Sequence, residues 1–261
     1  MTYETLQYEL YEGIATIRFN RPDKFNALNK TVLSELSKAL KDSARNSEVR
    51  VIVLTGEGKA FCAGQDLSEL DPETPLLYTV RHHFNPVLLT MRQLEKPIIG
   101  AINGVAAGAG LGLALATDLR VMSNKASFVF AAFSRIALVP DSGLTYFLPR
   151  LVGMSKAFEL LLLADSQHRM SAEEAKSWGL CTLIADAEDF MTTVQQFASQ
   201  IADMPLNAVG MTKRLLNKSW DYTFEQMLDL EAQLQDAASR HPNAHEGIQA
   251  FLEKRTPNFR S

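Results

Sequence analysis

Cysteine is scarce in this chain. Its two cysteines among 261 residues, Cys62 and Cys181, cannot form a disulfide framework, and a reducing compartment fits them. Basic runs are missing as well: 26 Lys and Arg against 30 Asp and Glu give a net charge of −4, with no cationic block. Binding to a nucleic-acid backbone needs concentrated Lys and Arg, so no nucleic acid is expected as a partner. A few local cations would still serve a small anionic ligand. The most apolar stretch, Pro97 to Val121, is broken by five glycines and by Asp118, so it predicts a buried strand and helix and no membrane span. The opening MTYETLQYELYEG has neither a basic start nor an apolar run, and no signal peptide is expected. No histidine pair has metal-ligand spacing with a carboxylate, so no metal is expected. These absences together predict a soluble, cytoplasmic protein.

What is present suits one large domain, or one domain with an appendage: 46% of residues are hydrophobic and 21% are charged. Alternation predicts a hairpin, Leu6–Tyr11 and Ile14–Phe19, turning at Glu12-Gly13. Val32, Leu33, Leu36, Ala39 and Leu40 recur at helical spacing between Thr31 and Ala44. Val49–Leu54 and Pro97–Ile102 predict buried strands, and the second precedes a small-residue helix from about Gly108 to Thr117. Short strands are expected at Leu119–Met122, Ser127–Phe130 and Cys181–Ile184, and a capping box at Ser171-Ala-Glu-Glu174. After Pro205 the pattern is helical throughout, with no strand of its own to pack on. That block, residues 201–261 after a core of 1–200, must cover the core, reach a neighbouring subunit, or do both.

Three segments put small residues where backbone would approach a ligand: Ala60-Phe-Cys-Ala-Gly-Gln-Asp-Leu67, Asn103-Gly-Val-Ala-Ala-Gly-Ala-Gly-Leu-Gly112 and Val139-Pro-Asp-Ser-Gly143. A helix beginning Gly108-Ala109-Gly110 exposes N–H groups at a positively polarised end. Tight helix packing explains such a run equally well. The spacing Gly108-x-Gly110-x-Gly112 matches neither a dinucleotide fingerprint nor a Walker loop. A second N–H, from Gln65 after the Ala63-Gly64 turn, would complete a pair of donors for a developing oxyanion such as a thioester enolate. Asp141 is the one carboxylate in these segments besides Asp66, and it is the candidate for moving the proton.

Taken together these motifs resemble the crotonase, or enoyl-CoA hydratase/isomerase, superfamily. The resemblance also covers Asn20-Arg-Pro-Asp-Lys-Phe-Asn-Ala-Leu28, Lys96-Pro-Ile-Ile-Gly-Ala-Ile-Asn-Gly104 and Glu246-Gly-Ile-Gln-Ala-Phe-Leu-Glu-Lys254. It implies a mixed α/β fold, a spiral of ββα units with a helical C-terminal trimerisation region, assembled as a homotrimer or a dimer of trimers. It implies acyl-CoA substrates, with coenzyme A carried by the substrate and no separate cofactor. It places the oxyanion-hole N–H groups at Gln65 and Ala109, and the adenosine part of CoA near Lys24, Ala27, Ala63, Asp66 and Leu67. Phe251 and Lys254 resemble the pair that a neighbouring subunit lends to that site.

Departures from the family pattern select the reaction. Family hydratases position a water with two glutamates, which would fall at Gly112 and at Ala132 or Phe133; neither is present. Syn addition of water needs an acid and a base to hold it, so hydration is not expected. Pro140-Asp-Ser-Gly143 and Ala132-Phe-Ser-Arg135 resemble the ring-epoxide isomerases of phenylacetyl-CoA metabolism within this family. The dehalogenases carry a histidine where this chain has Leu89 and a tryptophan where it has Phe133. One carboxylate suffices for a 1,3-proton shift through a dienolate, or for opening a ring epoxide. Burial among Phe133, Leu138 and Leu144 would raise the Asp141 pKa; pairing with Arg135 would lower it.

The rivals are weaker. Cys62 reads as a small buried cysteine. Ser134 and Ser142 have no evident histidine partner. Glu69 is expected to face solvent, and Asp66 to fix its loop or reach the adenosine end. His82 and His83 precede the helix leading to Lys96-Pro97, on the surface or beside the acyl pocket; His168, His241 and His245 read as solvated. The alternative functions are a family lyase or thioester hydrolase, and a non-catalytic CoA-ester binder.

Overall fold

The structure is a computed structural model and describes residues 2–71, 73–130, 133, 136–163 and 169–260. Ala132, Ser134, Arg135 and His168 therefore lie outside the described residues. The chain opens with β1 (Leu6–Tyr11) and β2 (Ile14–Phe19), paired antiparallel from Leu6↔Phe19 to Tyr11↔Ile14. Their turn has positive φ at both Glu12 (49°) and Gly13 (84°), the twist that a two-residue hairpin demands. Helix α1 (Lys30–Arg45) starts on Asn29, whose side chain accepts the Val32 N–H at 2.9 Å.

From here strands fall alternately into two sheets. β3 (Val51–Gly56) joins the first sheet and β4 (Ala60–Cys62) starts the second. A helical turn α2 (Leu76–Thr79), a π-helical stretch at Val80–Phe84 and α3 (Asn85–Gln93) lead back to the first sheet. Then β5 (Ile98–Ile102), β6 (Val105–Ala107) and α4 (Ala109–Ala116) repeat the strand, strand, helix unit. β7 (Leu119–Ser123) and β8 (Ser127–Val129) begin a third unit, followed by α5 (Leu144–Val152) and α6 (Met154–Leu162). β9 (Met170–Ser171), α7 (Ala172–Ser177) and β10 (Leu183–Ala185) complete the core. The sheets run β1-β2-β3-β5-β7-β10 and β4-β6-β8-β9, so the spiral of ββα units is present as expected.

Alternation along the parallel strands feeds a core on each face of the larger sheet. Ile52, Leu54, Ile98, Ile102 and Met122 pack with α1, α3 and α4. Val51, Val53, Ile99, Ala101 and Val121 pack beneath α8 (Phe190–Ala202) through Val194, Ala198 and Ile201. The last helices are α9 (Leu206–Lys218), α10 (Phe224–Ser239) and α11 (Pro242–Glu253). α9 covers the core: Lys213 donates to Asp118 Oδ2 at 2.7 Å, an ion pair with both partners largely shielded. α10 and α11 instead leave Phe224, Ile248, Phe251 and Leu252 exposed. No helix among the described residues is long and apolar enough to cross a membrane.

Candidate active site

The site begins at a loop clamp. Asn26, buried and in the left-handed region (φ 57°), donates to Glu57 O at 2.9 Å and Ala60 O at 2.8 Å and accepts the Arg21 N–H at 3.0 Å. Ala63 N donates to Phe25 O at 3.0 Å, which ties this loop to the segment after β4. Leu28 then forms a parallel bridge with Gln65: Leu28 N donates to Gly64 O at 2.7 Å and Asp66 N to Leu28 O at 2.9 Å. Gly64 O and Asp66 N–H thus face Leu28, and strand alternation turns the Gln65 N–H to the other side. Gly64 needs its glycine: φ is +100°, and a Cβ there would lie 3.0 Å from Ala107 O and 3.3 Å from Ala109 N. The Gln65 turn therefore lies against the start of α4.

α4 is buried along its whole length, and Gly108 offers no capping side chain. Among the described residues, no acceptor takes the N–H of Gln65 or of Ala109. Two close approaches hold this helix in place. A Cβ on Gly110 would lie 2.3 Å from Cys62 O, and one on Gly112 would lie 2.5 Å from Ser142 O and 2.7 Å from Ser142 Cβ. The glycine spacing thus marks backbone contacts on both flanks. Ala109 and Gly112 are one turn apart on the same helix face, so Ser142 is seated one turn from the candidate oxyanion donor.

Asp141 precedes Ser142, which holds a left-handed φ of 53°. Asp141 is half-buried, and burial pushes its carboxyl above the usual range. The nearby Ser142 hydroxyl pulls the other way, but neither Asp141 Oδ1 nor Ser142 Oγ has a hydrogen-bonding partner among the described residues. Phe133 and Leu144 are buried as expected, whereas Leu138 is 41% exposed and shields the carboxyl less than its type implies. Pro140 and Thr145 line an almost wholly apolar, partly open cavity of about 380 Å³ together with Phe133, Pro149, Phe158 and Leu162.

Of the residues assigned to the adenosine end, Ala27, Ala63, Asp66 and Leu67 meet in one cluster. Arg21 organises it: Nη1 donates to Ala27 O at 2.7 Å, and Nη2 to Asp66 Oδ2 at 3.0 Å and Glu69 Oε1 at 3.1 Å. Asp66 also accepts from the Ser68 N–H and hydroxyl, at 3.2 and 2.6 Å. Ser68 and Arg21 hold its carboxyl below the usual range despite burial. Asp66 therefore fixes its loop. Glu69 is half-exposed but engaged, accepting also from Asn29 at 2.9 Å. Lys24 stands exposed at the end of the 3-10 turn Pro22–Lys24, beside this cluster. Phe251 and Lys254 lie exposed at the far end of the chain, on and just after α11.

The rivals are placed elsewhere. Burial drives the Cys62 thiol up to about 12, which leaves it protonated and inert. His82 and His83 line a groove with Ser34, Lys38 and Lys41 of α1, apart from the cavity that Pro140 lines. Among the described residues, no group of three His, Cys, Asp or Glu is placed to hold a metal ion.

Against this geometry the comparisons are unambiguous. The enoyl-CoA hydratase/isomerase family matches residues 9–261, and the chain belongs to that family, whose members act on CoA thioesters. It is 40% identical to the 1,2-epoxyphenylacetyl-CoA isomerase of Escherichia coli K12 over 253 residues, covering 95% of each chain. It is also 40% identical over 260 residues to a protein named probable enoyl-CoA hydratase from Rhodobacter capsulatus, covering 99% of each. Among solved structures, an enoyl-CoA hydratase subunit of Geobacillus kaustophilus superposes with a TM-score of 0.92 at 32% identity, over 99% of this chain and 98% of the other.

Proposed function

We propose that the protein isomerises acyl-CoA thioesters through an enolate, with Asp141 as its single acid/base and the Gln65 and Ala109 N–H groups as the oxyanion hole. The observation that carries this reading is Asp141 itself: a desolvated carboxyl with an unpartnered Oδ1, one residue before the contact that seats Ser142 on α4. A carboxyl whose pKa burial raises is a stronger base than an exposed aspartate. Two N–H groups without acceptors cost nothing to reorganise when charge develops on the thioester oxygen.

Hydration is disfavoured on steric grounds as well as by composition. The position where a hydratase glutamate would fall, Gly112, has Ser142 O only 2.5 Å from any Cβ. A carboxylate side chain has no room there unless the Asp141 loop moves away. The substrates this reading favours are the ring epoxide of phenylacetyl-CoA, which the name of the Escherichia coli relative supports, and 3-enoyl-CoA esters.

The CoA adenosine would lie along Lys24, Ala27, Ala63, Asp66 and Leu67, with Phe251 and Lys254 supplied by a neighbouring copy in a homotrimer or a dimer of trimers. The exposed phenylalanine on α11, 82% accessible, supports that lending. No cofactor beyond substrate-borne CoA enters the reaction, and a cytoplasmic site of action fits the scarce cysteines. Asp141→Asn should abolish turnover of both substrates while CoA-ester binding persists. Retained turnover in that variant would rule out the single-base mechanism.

A further inference from the structure

A cavity of about 680 Å³ lies between α5 and α9, and none of Gln65, Ala109 or Asp141 lines it. Its walls carry four cations, Arg92, Arg120, Arg150 and Lys213, against one carboxylate, Asp118. Two of the four are accounted for. Lys213 donates to Asp118 Oδ2 at 2.7 Å, and Arg120 donates to the Leu180 and Thr117 carbonyls at 2.6 and 2.8 Å. Asp118 also accepts the Ile98 N–H. Arg92 and Arg150 make no salt bridge among the described residues. The Arg92 guanidinium donates only to Asn217 Oδ1, and the Arg150 guanidinium only to Tyr146 O at 2.9 Å. Both side chains are half-buried. Burial pushes the Arg92 pKa down, with Asp118 opposing the shift and Arg150 adding repulsion. Like charges partly withdrawn from water call for a counter-anion.

Donors are free to meet one. Arg150 lays its guanidinium on the Tyr146 ring, 3.5 Å from the centroid, with the Trp220 ring 5.7 Å away. Stacking uses the face of the group and leaves its edge for hydrogen bonds. Arg150 Nε is shut off from solvent, but Nη2 is not, and Nη2 has no acceptor among the described residues. Arg92, 5.3 Å from the Phe147 centroid, likewise keeps Nε and Nη1 unbonded. The rest of the wall is mostly apolar, with Leu115, Leu151, Ile201 and the exposed Trp220. An inorganic anion gains nothing from such a wall. A mostly apolar cavity of about 300–1,000 Å³ with a few convergent polar groups is the form of a small-molecule site. We propose that this cavity is a second ligand site, for an organic carboxylate with an apolar body. Arg92 and Arg150 hold the carboxylate through charge-assisted hydrogen bonds, and the body lies along Leu151, Ile201 and Trp220. The ligand is a free acid without coenzyme A, and it binds whichever reaction Asp141 performs.

The probe is phenylacetate, with phenylacetamide as its uncharged counterpart, each titrated into the full-length protein by calorimetry. Phenylacetate should bind saturably, and about ten times more tightly than phenylacetamide, the contribution of a charge-assisted hydrogen bond. Inorganic phosphate, which has no apolar body to bury, should bind about tenfold more weakly than phenylacetate. Arg92→Gln and Arg150→Gln should each weaken phenylacetate about tenfold and leave phenylacetamide nearly unchanged. Trp220→Ala should weaken both about threefold or more, through lost apolar contact. Saturating coenzyme A should not displace phenylacetate. The proposal is overturned by no saturable binding in the wild type, by equal affinity for acid and amide, or by phosphate binding as well as phenylacetate. Displacement by coenzyme A overturns it too, since the acid would then sit in the thioester site. So does phenylacetate affinity that is unchanged in the arginine variants. Should those variants not fold, Trp220→Ala decides, because its position is exposed: weakened phenylacetate binding supports the cavity and unchanged binding overturns it.

Discussion

Replacing Gly112 with alanine perturbs the site through one methyl group, and the structure sets its size. The new Cβ would stand 2.5 Å from Ser142 O, where ordinary contact begins at 3.4 Å, so the two backbones must part by about 0.9 Å. Alanine in a helix gains about 1 kcal/mol over glycine. Overpacking against backbone costs about 1–3 kcal/mol, and neither partner here is a flexible side-chain tip. The clash should therefore offset that gain or exceed it, with a net loss of about 0–2 kcal/mol on denaturant unfolding. The kinetic effect should be larger. The displaced residue adjoins Asp141, and a 1 Å misplacement of a reacting group costs about 10²-fold. Steady-state assays on the ring epoxide of phenylacetyl-CoA should show kcat falling about 10²-fold, with KM nearly unchanged because the cluster around Arg21, proposed to hold CoA, is untouched. A variant that loses stability yet keeps kcat within about threefold would show that this contact does not place Asp141.

Other outcomes follow from the same geometry. Because burial raises the Asp141 pKa and the base must be ionised, the acid limb of kcat/KM should lie above the ordinary aspartate value and vanish with Asp141. A raised folded-state pKa favours folding only below the unfolded value and loses that contribution as pH rises through the folded value. Asp141→Asn should accordingly raise Tm at pH 7 and cease to do so near pH 3, as thermal melts at the two pH values would show. Asp118→Ala strands Lys213 in a shielded site and frees the Ile98 N–H that Asp118 also accepts, and should cost about 3–5 kcal/mol by denaturant unfolding. Arg21→Ala should raise KM for CoA esters more than it lowers kcat, since it unties Ala27, Asp66 and Glu69 together. Cys62 should resist alkylation at pH 8 until the protein is unfolded, which mass spectrometry would register.

Much of this was legible in sequence because its signals are local. The Leu6–Phe19 hairpin, the helix at Lys30–Arg45 and the capping box at Ser171 follow from alternation, 3.6-residue periodicity and short-range hydrogen bonds. The three-residue strands Ala60–Cys62 and Val105–Ala107 were not legible, since they are too short for a period and are defined by pairing with each other and, for the second, with Ser127–Val129. The Asp141 and Gly64 segments stood out by residue type, and the Gly64 turn indeed lies against Ala109. The contact of Gly112 with Ser142 joins residues thirty positions apart, so its glycine read only as an absent glutamate. Arg21 was missed as the hub of the loop cluster; its one signal was the Asn20-Arg-Pro motif. Leu138 has a core residue's chemistry and an exposed position, which no pattern in its neighbourhood betrays.

The most direct test of the account is the mass of the product. After incubation of the wild-type protein with the ring epoxide of phenylacetyl-CoA and, separately, with a 3-enoyl-CoA, a new species should form from at least one of them. Its mass should equal that of its substrate, and it should be absent with Asp141→Asn. A product heavier by one water, or free coenzyme A, would contradict isomerisation by a lone aspartate and point to hydration or thioester hydrolysis.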